Sequence, residues 1–68
     1  MSPKRKMSAV IRRLRSKQGM TQEELAEKVG VTQGYISQLE AGTKKDIGAR
    51  VAVKLAEALG VPVTELLT

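Results

Sequence analysis

"TQEELAEKVGVTQGYISQLEAG", residues 21–42, reads as two helices divided at Gly30. Thr21 can cap the first helix, and Glu24 stands three residues on, so "TQEE" fits a capping box. Met20 and Leu25 have the spacing of a hydrophobic staple across the same start. Gly30 follows Val29 and supplies the left-handed backbone that stops a helix. The pattern then repeats. Thr32 caps the second helix, Val31 and Ile36 have staple spacing, and Gly42 ends it. A turn of about three residues between two such helices is the spacing of a helix-turn-helix. Leu25, Val29, Val31, Ile36 and Leu39 then form the apolar contacts between the pair. Ala26 is small where the second helix must cross close to the first.

The periodicity extends outward on both sides. Before this stretch, Val10, Ile11 and Leu14 form one apolar stripe, which predicts a helix with Ser8 as its N-cap and Gly19 as its C′ residue. Residues 1–7, with Pro3 and three adjacent cations, read as a flexible basic arm, and residues 8–68 as one domain. After it, a polar loop leads to a fourth helix from Ile47 or Gly48 to Leu59, with Val51, Leu55, Ala58 and Leu59 inward and Gly60 as the stop. "PVTELL" predicts a short fifth helix with Pro62 at the cap and Val61 and Leu66 at staple spacing. There are no strand signals. The expectation is an all-α fold, a compact five-helix bundle with a central helix-turn-helix.

Composition narrows the function. The chain has no Cys and no His among its 68 residues. That removes zinc fingers, thiol nucleophiles and histidine acid–base chemistry. No nucleophile–base pair stands out, so an enzyme is the most distant reading. No cofactor or metal is implied. No apolar run approaches the roughly 20 residues of a membrane span, and no signal peptide opens the chain. A small extracellular domain often carries disulfides, so their absence points towards the cytoplasm. The formal charge is +5. Lys4, Arg5, Lys6, Arg12, Arg13, Arg15 and Lys17 all precede the first acid, Glu23. A small basic domain suits a polyanion partner, although a solvated surface would show the same charge.

Residues 21–42 resemble the helix-turn-helix of the Cro/repressor (XRE-type) regulators. The resemblance continues through "IRRLRSKQGM" before it and "LAEALGVPVTELL" after it, from about Ser8 to Leu67. It implies a lambda-repressor-like fold whose third helix lies in the major groove of double-stranded DNA. With Ile36 and Leu39 inward, Gln33, Gly34, Ser37 and Gln38 face outward as base readers. A glutamine amide can pair bidentately with adenine N6 and N7, and a serine hydroxyl can meet either kind of base edge. Gly34 allows a close approach or leaves one base pair unread. Gln22, Thr32, Tyr35, Lys44, Lys45 and Arg50 are the candidates for the DNA backbone. Tyr35 can lay its ring on a sugar or thymine methyl and offer its hydroxyl to a phosphate. The resemblance also implies that Gln22 braces Gln33 and that Arg15 and Glu40 form a structural salt bridge. The loop "GTKKDIGARVAVKLA" departs from the family pattern in length and lacks its frequent "NP", which makes the loop contacts less secure than those of the third helix.

The function expected from this reading is a sequence-specific, double-stranded DNA-binding transcriptional regulator, a repressor, acting as a homodimer on a near-palindromic operator. Val63, Leu66 and Leu67 are the candidate dimer surface, because "VPVTELL" carries more apolar residues than one short helix needs internally; the alternative is that they cap the bundle. No small-molecule ligand is expected. A second reading is an antitoxin or bridging protein-interaction module on the same fold. The polar outward face of the third helix argues against it, as does the lack of an extension for a partner.

Overall fold

The computed structural model describes residues 7–44 and 46–67, with only the backbone of Leu67. Those residues form five helices and no strand: α1 Met7–Lys17, α2 Gln22–Val29, α3 Gln33–Ala41, α4 Ala49–Leu59 and α5 Thr64–Leu67. The chain is all-α, as its periodicity predicts. No helix among the described residues is long and apolar enough to cross a membrane.

Local chemistry sets the ends of α2 and α3. Thr21 Oγ1 accepts the Glu24 N–H at 3.0 Å, and Glu24 Oε1 accepts the Thr21 N–H at 2.8 Å, completing the capping box. Thr32 Oγ1 accepts the Tyr35 N–H at 3.1 Å at the start of α3. Gly30, with φ of 85°, closes α2 by donating its N–H to the Ala26 carbonyl at 2.8 Å. An L side chain is strained at that angle, which is why the turn needs glycine. Its backbone then delivers α3 across α2, where Ala26 is 3% exposed.

The core lies where α1, α2, α3 and α4 converge, closed below by α5. Ile11, Leu25, Ile36, Leu39, Leu55, Leu59 and Leu66 are essentially inaccessible. Met7, Leu14, Met20, Val31, Tyr35, Ile47, Val51, Ala58, Val61 and Val63 pack around them while partly exposed.

Five expectations are corrected. Ser8 is not a cap, because Met7 is already helical and packs on the core, so α1 starts earlier than the serine suggests. The rest of the arm expected over residues 1–7 lies outside the described residues. The inward stripe of α4 is Ala52, Leu55, Ala56 and Leu59, while Val51 and Ala58 sit half-buried at its edges. The two alanines let α4 lie close against its neighbours. α4 begins at Ala49, after Gly48, later than Ile47. The fifth helix starts at Thr64, so Pro62 is not its cap; it enters through a tight turn in which Glu65 N–H bonds Pro62 O and Leu66 N–H bonds Val63 O, both at 3.0 Å. That turn sends Leu66 inward, where it is 2% exposed. Leu66 therefore caps the bundle and offers nothing to a dimer surface. Val63 stays half-buried, and the side chain of Leu67 lies outside the described residues.

Gln18 plays a part that its sequence position does not announce. Its amide donates to the Leu59 carbonyl and ties the α1–α2 turn to the last turn of α4. That carbonyl is among those an α-helix leaves without an internal partner.

Leu55 is wholly buried in the apolar cluster to which all five helices contribute. Leu55→Ala should cost about 2–5 kcal/mol, a large share of the stability of so small a domain. Urea unfolding of wild type and variant would show a lower midpoint, and an unchanged midpoint would place Leu55 outside the cooperative core.

Candidate nucleic-acid interface

α3 has two faces of different character. Ile36, Leu39 and Glu40 are buried. Gln33, Gly34, Ser37 and Gln38 are exposed on the opposite side, as the sequence predicts. The outward face carries amides and a hydroxyl with no formal charge. Such groups both donate and accept hydrogen bonds, so they can match a pattern of donors and acceptors on a surface presented to them.

Glu40 is the one buried charged residue of the described chain, at 7% exposure. It is held from two sides. Arg15 Nε donates to Glu40 Oε2 at 2.6 Å, and Arg15 Nη2 donates to Oε1 at 3.0 Å. This bidentate fork joins α1 to the last turn of α3. Arg15 Nη1 also donates to the Met20 carbonyl at 2.7 Å, fixing the turn before α2. The expected Arg15–Glu40 pair is thus present. Gln22 Nε2, at the start of α2, donates to Glu40 Oε1 at 3.1 Å. The structure does not show the expected brace of Gln22 on Gln33: among the described residues the two share no hydrogen bond, and Gln22 donates to the charged Glu40 carboxylate instead. The amide oxygen and second N–H of Gln22 remain available to a partner outside the fold.

Burial pushes the Glu40 carboxyl up. The bonds from Arg15 and Gln22 and the charges of Arg15 and Arg12 outweigh it, leaving the carboxyl below its usual value near 4.5. The Arg15 guanidinium is raised by its bond to Glu40, against a smaller loss from desolvation.

A second cluster lies at the exit of α3. The Gln38 carbonyl accepts from Thr43 N at 3.1 Å, Lys44 N at 3.3 Å and Thr43 Oγ1 at 3.3 Å. This folds the loop back along the helix. The Lys44 ammonium comes to rest 5.0 Å from the centre of the Tyr35 ring, within cation–π range. Tyr35 and Lys44, assigned separately from the sequence, are therefore neighbours. Thr32 is exposed, and its oxygen is occupied by the cap, leaving its O–H free to donate. Arg50 is exposed in the first turn of α4. Lys45 lies outside the described residues. Gln18, Thr43 and the Tyr35–Lys44 contact were missed from the sequence. Only the pairing of a lone ring with a nearby lysine hinted at any of them.

The short angled turn, the crossed α2 and α3, and the exposed polar face of the second helix define a helix-turn-helix domain. Residues 11–66 match a family model described as helix-turn-helix. The chain belongs to this family, in its Cro/repressor (XRE-like) branch. It is 45% identical over 60 residues to an HTH-type transcriptional regulator of Archaeoglobus fulgidus, covering 88% of this chain and 84% of that one. It is 38% identical over all 68 residues to a propionyl-CoA carboxylase regulator of Cereibacter sphaeroides, but spans only 14% of that protein's length. Among solved structures it is similar to SinR, the master regulator for biofilm formation, in complex with DNA. That likeness has a TM-score of 0.86 and 31% identity, over 91% of this chain and 98% of that one. The DNA-binding domain of the P22 c2 repressor gives a TM-score of 0.89 at 30% identity, over 97% and 86% of the two chains.

The Glu40 network should show itself in pH dependence. A lowered folded-state pKa means that the unfolded chain takes up the proton first as pH falls. The stability from this carboxylate is complete above its usual value near 4.5 and is lost as pH drops through the lower folded value. The raised Arg15 contributes fully at every pH below the ordinary arginine range and adds nothing to this acid loss. Arg15→Met should cost roughly 3–5 kcal/mol at neutral pH, since it strands a buried carboxylate. Without Arg15, burial pushes the Glu40 carboxyl up, so the difference between wild type and Arg15→Met should begin to shrink above pH 4.5 and go on shrinking as pH falls through the lower wild-type value. Urea titrations from neutral pH to about pH 3 measure it, and a constant difference would mean that the pair does not govern the acid limb.

Proposed function

We propose that this chain is a sequence-specific, double-stranded DNA-binding transcriptional regulator that places α3 in the major groove and acts as a repressor. The observation that carries the reading is the exposed set Gln33, Gly34, Ser37 and Gln38 on a helix whose other face is locked into the core. Gln33, Ser37 and Gln38 read base edges by donor–acceptor matching. Gln22, Thr32, Tyr35, Lys44, Lys45 and Arg50 hold the sugar–phosphate backbone. Gln22 adds an amide at the free N–H groups of the α2 N-terminus, which suit a phosphate oxygen. Arg50 supports this assignment in another way. A cation in the first turn of a helix opposes the helix dipole, so the fold gains nothing from its placement there, whereas a phosphate would.

Its similarity to SinR in complex with DNA, and to the P22 c2 repressor in complex with a synthetic operator, supports the same reading. One α3 spans only a few base pairs, and discrimination in a genome needs more contacts. A two-fold dimer on a near-palindromic site supplies them. Such a regulator works in the cytoplasm, at the nucleoid. The competing reading, an antitoxin or bridging module, needs an apolar docking face. Val53, at 46% exposure, is the one large apolar side chain well exposed among the described residues, and a single valine is not such a face.

Base reading and charge should separate experimentally. Gln33→Ala should cost roughly 1–3 kcal/mol on the preferred duplex and little on unrelated DNA, because an amide has no net charge. Lys44→Ala should weaken all sequences alike and lower the log–log salt slope by about one unit, or two in a symmetric dimer. Titrations of both variants against preferred and random duplexes at several salt concentrations, with sedimentation for stoichiometry, test this. Equal losses for Gln33→Ala on both duplexes would remove α3 as the reader, and one protein copy per preferred site would remove the dimer.

A further inference from the structure

Four of the six glycines have a reason within the fold. Gly19, Gly30, Gly42 and Gly60 each follow a helix and have φ between 70° and 85°. Gly48 precedes the first residue of α4, a place where glycine is accepted. Gly34 has no such reason. It is the second residue of α3, and its φ is not positive. A Cβ built there would meet only Thr32 Oγ1, at 3.9 Å, which is ordinary van der Waals contact. The fold has room for a side chain, and apart from proline glycine is the weakest helix former. This glycine therefore weakens α3 with no return among the described residues.

Its position suggests where the return lies. At 100° per residue, Gly34 projects almost opposite the buried Ile36, Leu39 and Glu40. It is the crest of the exposed face, with Gln33 and Ser37 to one side and Gln38 to the other. Anything meeting α3 face-on meets the backbone at Gly34 first. Glycine is the residue that lets a backbone approach a ligand closely.

We propose that Gly34 determines specificity by setting the depth at which α3 seats in the major groove. This rests on the DNA-reading assignment of α3 and adds to it a residue that acts by having no side chain. Ser37 is the residue that most needs the depth. Its hydroxyl lies one bond beyond Cβ, and a bond of about 2.9 Å is lost once the atoms stand 3.6 Å apart. Gln33 and Gln38 have longer side chains and can follow a retreating surface part of the way. Phosphate contacts from Lys44 and Arg50 lie away from the crest and tolerate the shift. A side chain at position 34 thus reduces discrimination more than general affinity.

The test compares wild type, Gly34→Ala and Gly34→Leu. The probes are the duplex that wild type recovers from a random DNA pool and a scrambled duplex of the same composition. Gly34→Ala should melt a few degrees higher than wild type, because it removes a helix-weakening residue from open space. It should bind the recovered duplex at least about tenfold more weakly, with scrambled binding almost unchanged, and Gly34→Leu should lose more. If Gly34→Ala binds the recovered duplex as well as wild type does, the depth proposal is overturned while the DNA reading stands. Equal losses on both duplexes, or a lower melting temperature for Gly34→Ala, also overturn it. If wild type does not distinguish the two duplexes, the reading of α3 itself fails and the proposal with it.

Discussion

The carboxylate of Glu40 sits where three segments must be held together, and each reaches it with a hydrogen-bond donor or is tied to a residue that does. Arg15 comes from α1, Gln22 from the first turn of α2, and Arg15 also grips the Met20 carbonyl between them. Apolar contacts alone would hold α3 less specifically. Ile36 and Leu39 pack well in several rotations of a helix, because dispersion and burial are non-directional. A bidentate guanidinium–carboxylate pair is directional, and breaking it inside the protein leaves a charge without compensation. The network therefore fixes the rotation and axial position of α3 while the apolar core supplies most of the stability.

That fixed rotation is what makes the outer face of α3 useful. If Glu40, Ile36 and Leu39 are held, Gly34 and Ser37 have nowhere to point but out, and Gln33 and Gln38 flank them. The exit loop follows from the same geometry. The Gln38 carbonyl near the helix end gathers Thr43 and Lys44, and the lysine returns to Tyr35. The ring that the sequence isolates among polar residues so has two contacts: one edge against the core and one face beneath a cation. Uncharged polar side chains occupy the outer face of the helix, and a positioned charge stands beyond its end.

Much of this was legible in the sequence because much of it is local. The capping box at Thr21, the cap at Thr32 and the left-handed glycines at positions 30 and 42 are decided by residues a few places apart. Arg15 and Glu40 are 25 residues apart, and their pairing came from the family resemblance. The losses occur where tertiary packing decides. Alanine is ambiguous in an apolar pattern, so the sequence points to Val51 and Ala58 beside Leu55 and Leu59, whereas Ala52 and Ala56 lie deeper. Ser8 has the chemistry of a cap, but Met7 gains more by packing in helical geometry. Leu66 read as surplus at the C-terminal end because nothing local says that α5 turns it under the bundle. Gln22 and Gln18 could each bond many partners, and only the assembled fold brings Glu40 to one and the Leu59 carbonyl to the other.

The same network reconciles a buried acid with a polyanion partner. An unpaired carboxylate at the end of α3 would repel phosphates across a low-dielectric surface. Arg15 cancels that charge locally, and the charge of nearby Arg12 adds to the effect. The exposed cations Arg13 and Arg50 and the half-buried Lys44 remain to act outward. Gln22 belongs to both systems, since it donates to Glu40 with one amide hydrogen and stands at the α2 N-terminus with the rest of its amide free. A phosphate held there would compete for the same amide that steadies Glu40, so a backbone contact at Gln22 would share one side chain with the setting of α3.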